Sequence, residues 1–282
     1  MPVEWPTHLV EQISAKQLVL FVGSGVSASC VNGAGESPPT WSDLLGRLAD
    51  LLTDPADKGI ATTLIDERQL LAAADHIRYA LDRQNALNSY QTTLRRALEG
   101  PAGDPFRPST VYEDLLNLDP RIVFTTNFDK LFETASQGGY ATHTFKSTTL
   151  GGDLRRGDPV LVKLHGSTDS IAEVVLTRTD FARVMKEGAP VLEILHALSL
   201  TSTILFVGYS LDDPDIQLAL QALGRGPLDP EAHYMLSPEP ATPSRIPVYR
   251  ESFGVTVLTY PAGVHGEVHE NLVELATRVG AT

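Results

Sequence analysis

Apolar residues in this chain come in short runs that stop abruptly at polar clusters. LVLFV at 18–22 runs into GSGVSASC, and the same break recurs in IVFTTNFD at 122–129, VLVKLHGS at 160–167 and ILFVGYSLDD at 204–213. Unbroken apolar runs of this length suit strands buried on both faces of a sheet. In an open parallel sheet, ligands bind outside the carboxyl ends of the strands, so polar clusters at those ends predict one shared crevice of dinucleotide size.

Between these runs the periodicity is helical. An amphipathic segment at 7–15 leads into the first strand, and the glycines and prolines of NGAGESPP then break the chain. TWSDLLGRLADLL at 40–52 sets Trp41, Leu44, Leu45, Leu48, Leu51 and Leu52 on one helical face, with Thr40 as N-cap. LIDERQLLAAADHIRYALDR and NALNSYQTTLRRALEG carry the helical character on to Gly100, which predicts a helical insertion over residues 40–117. From Arg121, Val- and Ile-rich runs alternate with helical patterns, the mark of βαβ units; HYMLS (233–237) and VTVLTY (255–260) are two further strands, and 264–279 is a closing helix. The expected fold class is α/β: one Rossmann-like, doubly wound domain over residues 1–282, with a mostly parallel sheet and a helical insertion after its first strand.

Composition removes several function classes. A chain of 282 residues that is 42% hydrophobic can bury a full core. No stretch approaches the roughly 20 apolar residues of a membrane span, and MPVEWPTHLVEQ lacks the layout of a secretory signal, so a cytoplasmic protein is expected. With 22 basic against 35 acidic residues, the net charge of −13 repels nucleic-acid backbones, and no basic run exceeds a pair such as Arg95-Arg96. Direct nucleic-acid contact is not expected. The single cysteine, Cys30, reads as a small buried residue, and without a CxxC pair the chain has no ligands for a zinc ribbon.

Each cluster offers chemistry and also a plain structural reading. Gly23-Ser24-Gly25-Val26-Ser27-Ala28 fits G-x-G-x-x-G/A between a strand and a helix, where glycines allow close approach to a pyrophosphate and free N–H groups attract it; alternatively it is a ligand-free turn. Asn127 and Asp129 follow a strand at the start of DKLFETA, where helix capping explains one of them but not readily both. His165 stands at a strand end, either projecting into the crevice or held as a structural residue. Gly208 and Ser210 offer backbone and hydroxyl contacts; Asp213-Pro214 suits helix initiation, and Asp212 and Asp215 suit solvent. His265 and His269 lie four apart without the glutamate placement of H-E-x-x-H, so a solvated helix face is expected there and no metal.

Taken in order, these segments resemble the sirtuin family. GSGVS is similar to the family's GAG-[VI]-S phosphate turn, TTNFD to its T-Q-N-I-D element, LHGS to its catalytic-histidine motif and GYSL to its G-T-S-L strand end. PPTWSDLL, LTRTDFARV and GYSLDDPDI resemble the divergent bacterial sirtuin-like domains of anti-phage defence rather than the protein deacylases. The deacylases' four zinc-binding cysteines and their P-D-F-R sequence are missing, and Trp41 is the candidate for an aromatic wall.

The resemblance implies hydrolysis of NAD+ at the nicotinamide–ribose bond. Asn127 would hold the water and ribose, Asp129 would orient nicotinamide or its supporting network, and His165 would be the general base. Gly23, Ser24, Gly25 and Ser27 would hold the pyrophosphate, with Thr126, Gly208 and Ser210 as further contacts to NAD and no metal required. It also implies conditional activity, controlled by homo-oligomerisation or by a separately encoded partner such as an ATPase, translocase or Argonaute-like protein. A deacylase lacking the zinc module and a non-catalytic NAD or ADP-ribose sensor are the alternative readings.

Overall fold

The structure is a computed structural model that describes residues 3–209, 220, 233–240, 242–263 and 266–280. Its seven strands are β1 (Leu18–Val22), β2 (Ile122–Thr125), β3 (Ala141–Thr144), β4 (Val160–Lys163), β5 (Thr203–Val207), β6 (His233–Pro238) and β7 (Val255–Tyr260). They form one sheet in the order β3-β4-β2-β1-β5-β6-β7, and every pairing is parallel. Strand order reverses after β1, which places the switch point of a doubly wound sheet between β1 and β5.

Register explains why distant residues meet. Val22 pairs with Thr125 on one side and Val207 on the other, and Thr125 pairs with Lys163, so β1, β2, β4 and β5 end level with one another. The residues just beyond those ends emerge along one edge.

The strands are apolar throughout because both faces are covered. Leu18, Leu20 and Val22 enter one core with α1 (Thr7–Ser14), and α2 (Ser24–Ser27) opens directly from the strand end. Val19 and Phe21 enter the opposite core. Alternation within an unbroken apolar run thus builds two cores at once.

The helical insertion has a third core of its own. It contains α3 (Trp41–Ala49), α4 (Pro55–Asp66), α5 (Leu70–Arg83) and α6 (Leu87–Glu99), packed through residues such as Leu45, Ile77 and Leu94. Thr40 is the N-cap of α3 in a complete capping box with Asp43. The helical pattern around LIDERQLL is interrupted: Arg68 takes a left-handed φ of +60°, and the N–H groups of Arg68 and Gln69 close α4 on Ile65 and Leu64. Helix α7 (Thr110–Asn117), by contrast, packs into the sheet layer through Val111, Tyr112 and Leu115.

After β2 come α8 (Leu131–Ala135), α9 (Leu150–Arg156), the 3-10 segment Thr168–Glu173, α10 (Arg178–Glu187), α11 (Ala189–Thr201), α12 (Arg245–Phe253) and α13 (Glu267–Gly280). Helices α9, α11 and α12 cover the face opposite α1, α7 and α13. His269 on α13 is exposed, as a solvated helix face requires, and its ring also meets Asp114 on α7 at 2.6 Å. His265, Asp212, Asp213 and Asp215 lie outside the described residues. No described helix is long and apolar enough to cross a membrane.

Candidate active site

The glycine turn is built first by backbone packing. Gly23 N–H donates to the Val207 carbonyl and Gly25 N–H to the Gly208 carbonyl, both at 2.8 Å. A Cβ on Gly23 would stand 2.6 Å from the Gly208 oxygen, and one on Gly25 would stand 2.8 Å from it. Gly208 has φ +83°, and a Cβ there would meet the Val26 nitrogen at 2.7 Å. The ends of β1 and β5 therefore cross with main chain against main chain, a demand the glycines meet before any ligand is considered. Cys30, a turn further on, is buried, and burial pushes its thiol pKa up.

Tyr209 fills the space beside this crossing. Its hydroxyl donates to the Val22 carbonyl at 3.1 Å, so the Thr126 hydroxyl, 2.9 Å away, donates to Tyr209. Thr126 is thereby committed to holding the turn. Ser210 lies outside the described residues.

Ser27 is the centre of a buried network. Its hydroxyl donates to Asp129 Oδ2 at 2.7 Å and accepts from Asn127 Nδ2 at 3.0 Å. With that single proton spent on the carboxylate, the Tyr112 hydroxyl at 3.0 Å must be the donor of their shared bond. Burial and the nearby Asp129 carboxylate hold the Tyr112 pKa well above the ordinary phenol value, which keeps that donor protonated. Ser27 has therefore filled its hydroxyl within the protein.

Both residues of the second cluster are explained by this network. Asp129 accepts from the N–H of Leu131, the first residue of α8, through Oδ1 while holding Ser27 through Oδ2. Asn127 Nδ2 donates to the Gly23 carbonyl and to Ser27, both at 3.0 Å. Because Gly23 O can only accept, the amide orientation is fixed. Its other end, Oδ1, is buried with no hydrogen-bond partner among the described residues.

His165 follows β4 and is 5% exposed. Its ring stacks on Phe128 at 6.3 Å between centroids and meets the edge of Phe181 at 5.1 Å. Desolvation lowers its pKa to about 4, so the imidazole is neutral at pH 7, and Nδ1 is buried without a hydrogen-bond partner among the described residues. Gly166, at φ +82°, turns the chain where a Cβ would strike the Glu173 carbonyl at 2.8 Å.

Two cavities flank the glycine turn. The larger, about 820 Å³, lies between the sheet edge and the helical insertion, within the roughly 300–1,000 Å³ of small-molecule sites. Ser24, Gly25, Ser27, Thr126, Asn127 and Asp129 line it from the sheet side, and Trp41, Asp66 and Arg68 from the insertion. The smaller, about 240 Å³, lies beyond the turn, lined by Gly208, Tyr209 and Tyr260 together with Ser24 and Gly25. Phe128 and Phe181 line the larger cavity; His165 lies against both of them and is not among its lining residues. The structure thus brings Asn127, Asp129, Ser27 and the glycine turn together and seats His165 behind two aromatic rings.

Sequence reasoning missed several participants. Tyr112 has no local signal, because an amphipathic helix spends most of its aromatics on packing. Tyr209 sits inside the GYSL segment, where only its neighbours were singled out. Lys163 falls one residue before LHGS; it is 1% exposed and its ammonium donates to the Asp129 carbonyl and to Glu133 Oε1 at 2.7 Å. A lysine ending an otherwise apolar strand was a signal available in the sequence.

Comparison with known proteins finds relatives of this sequence. Residues 121–258 match the model of the SIR2-like domain. The chain is 26% identical to the NAD(+) hydrolase ThsA of Enterococcus faecium over 74% of its length and 40% of that protein. It is 24% identical to the NAD(+) hydrolase ThsA of Acinetobacter baumannii over 77% of its length and 41% of that protein. It is also 24% identical to the defense-associated sirtuin 2 of Bacillus subtilis, over 77% of its length and 20% of that protein. The chain thus spans about two-fifths of the length of the two hydrolases. Motifs and relatives agree with that match: residues 121–258 resemble a SIR2-like domain, and the chain is similar to sirtuin-like proteins.

Proposed function

We propose that this chain hydrolyses NAD+ to nicotinamide and ADP-ribose. The observation that carries the reading is the Asn127 amide, locked by Gly23 and Ser27 with its buried carbonyl oxygen unpartnered at the wall of the larger cavity. A fixed acceptor of that kind orients a water or a ribose hydroxyl. Relatives named NAD(+) hydrolases support the choice of substrate.

The chemistry suits the site. The nicotinamide nitrogen is cationic in NAD+ and leaves neutral, so positive charge moves onto the ribose in an oxocarbenium-like transition state. Acid assistance to the leaving group is unnecessary; orientation and stabilisation of the developing cation matter. A neutral His165 adds no opposing charge and, once uncovered and rehydrated, can accept a proton from the water or a ribose hydroxyl. Ser24 and Gly25, which line both cavities, are the candidate diphosphate contacts.

Seclusion of His165 behind Phe128 and Phe181 supports conditional activity. In this reading the protein is a cytoplasmic anti-phage effector of abortive infection, held quiet until self-assembly or a separately encoded partner opens the site. The same seclusion favours a second reading, an NAD or ADP-ribose sensor in which His165 is structural.

The test is incubation of the purified chain with NAD+, without acyl peptide, across protein concentration and with neighbouring gene products. Release of nicotinamide, reduced at least ~100-fold by His165→Ala, is the expected result. Binding without turnover under every condition identifies the sensor, and dependence on an acyl peptide identifies a deacylase.

A further inference from the structure

Lys163 is a buried cation that the proposed chemistry does not use. It ends β4 opposite Thr125, the last residue of β2, and its side chain runs to the loop that carries Asn127 and Asp129. There the ammonium donates to the Asp129 main-chain carbonyl and to Glu133 Oε1 on α8. A lysine at 1% exposure has surrendered its hydration, so the fold keeps it charged only by surrounding it with acceptors. Apolar residues would fill this position with less desolvation.

The two loops concerned are joined at further points. Thr168 N–H donates to the Phe128 carbonyl at 3.0 Å, Lys130 pairs with Asp169 on the surface, and His165 stacks on Phe128. Among these links Lys163 alone reaches the main chain of Asp129 from the strand that leads into His165.

We propose that Lys163 is a positioning residue that fixes the Asn127–Asp129 loop relative to His165, acting through the Asp129 carbonyl, with Glu133 present to neutralise it. The inference rests on the hydrolase reading for its effect on turnover but not for its effect on the loop. A displacement of about 1 Å at a reacting centre can cost on the order of 100-fold in rate.

The experiment compares Lys163→Met, Glu133→Gln and the double variant in the full chain. In Glu133→Gln the amide oxygen still accepts from Lys163 and the Asp129 contact survives. The first readout is amide hydrogen exchange at Leu131 and Thr168, whose N–H groups are bonded to Asp129 and Phe128. Exchange at both is expected to quicken at least ~10-fold in Lys163→Met and in the double variant, relative to the amides of β2, and less than ~3-fold in Glu133→Gln. The second is turnover of NAD+: kcat falls ~10–100-fold in Lys163→Met and in the double variant, with KM within ~3-fold, while Glu133→Gln keeps kcat within ~3-fold. Unchanged protection in Lys163→Met overturns the proposal, and so does quickened exchange with wild-type kcat. If the wild-type chain leaves NAD+ intact at every protein concentration and with every neighbouring gene product, the hydrolase reading fails and the exchange measurement alone still decides whether Lys163 holds the loop.

Discussion

The side-chain amide of Asn127 donates to the main-chain carbonyl of Gly23 at 3.0 Å, tying the end of β2 to the end of β1. Asn127→Asp keeps the shape and replaces the donor with a carboxylate facing a carbonyl. About 2–3 kcal/mol of stability should be lost, measured by urea unfolding, together with NAD+ turnover. Stability within 0.5 kcal/mol of wild type would show that the amide does not hold this turn.

Ser27→Ala removes one hydroxyl and strands three partners, Asp129, Asn127 and Tyr112. The expected cost is about 2–3 kcal/mol, against about 1 kcal/mol for Tyr112→Phe, which removes a single donor. Equal costs in denaturant titrations would mean that Ser27 is not the centre of the network.

Gly208→Ala should destabilise the protein by at least ~2 kcal/mol, because it combines a left-handed φ with a Cβ placed 2.7 Å from the Val26 nitrogen. Gly263→Ala, also at positive φ but with no atom nearby, isolates the conformational part. Thermal melts of the two variants separate strain from collision.

Burial holds the His165 pKa at about 4, below the roughly 6.5 of an unfolded chain. Between these values the unfolded state binds the extra proton, so stability rises with pH across that window. From pH 6.5 down toward 4 the wild type should therefore lose up to about 3 kcal/mol through this group, and His165→Gln should flatten that part of the curve. Parallel pH profiles for the two proteins would contradict the buried, neutral imidazole.

Arg68 is the only cation lining either cavity among the described residues, in the company of Asp43, Asp66 and Asp129. An anionic dinucleotide entering this acidic protein should need it. Arg68→Gln is expected to raise the KM for NAD+ about 3–10-fold and leave kcat unchanged, with no effect on cleavage of nicotinamide riboside, which lacks phosphate. An unchanged KM for NAD+ would exclude that role.

Much of the fold was legible because its signals are local. Apolar runs that break at glycine or polar residues marked β1, β2, β4 and β5, and Thr40 with Asp43 announced the start of α3. The fate of the insertion was less visible: α7 carries the same periodicity as α3 to α6, and only the partner surface decides that it joins the sheet layer. At the site, the meeting of Asn127, Asp129 and the glycine turn followed from level strand ends. What each group does there did not. Gly23 and Gly25 answer to Gly208, Ser27 is filled by its neighbours, and the seclusion of His165 depends on Phe181, which stands within LTRTDFARV but whose contact with the histidine has no local signal.

The two chambers beside the turn have Ser24, Gly25 and Ala28 in common. The start of α2 therefore stands between them, held in place by the packing of Gly23 and Gly25 against Gly208. Two weak fragments, one seated in each chamber, would both touch this segment. A tether short enough to round it would turn them into a single inhibitor with an affinity far above either fragment.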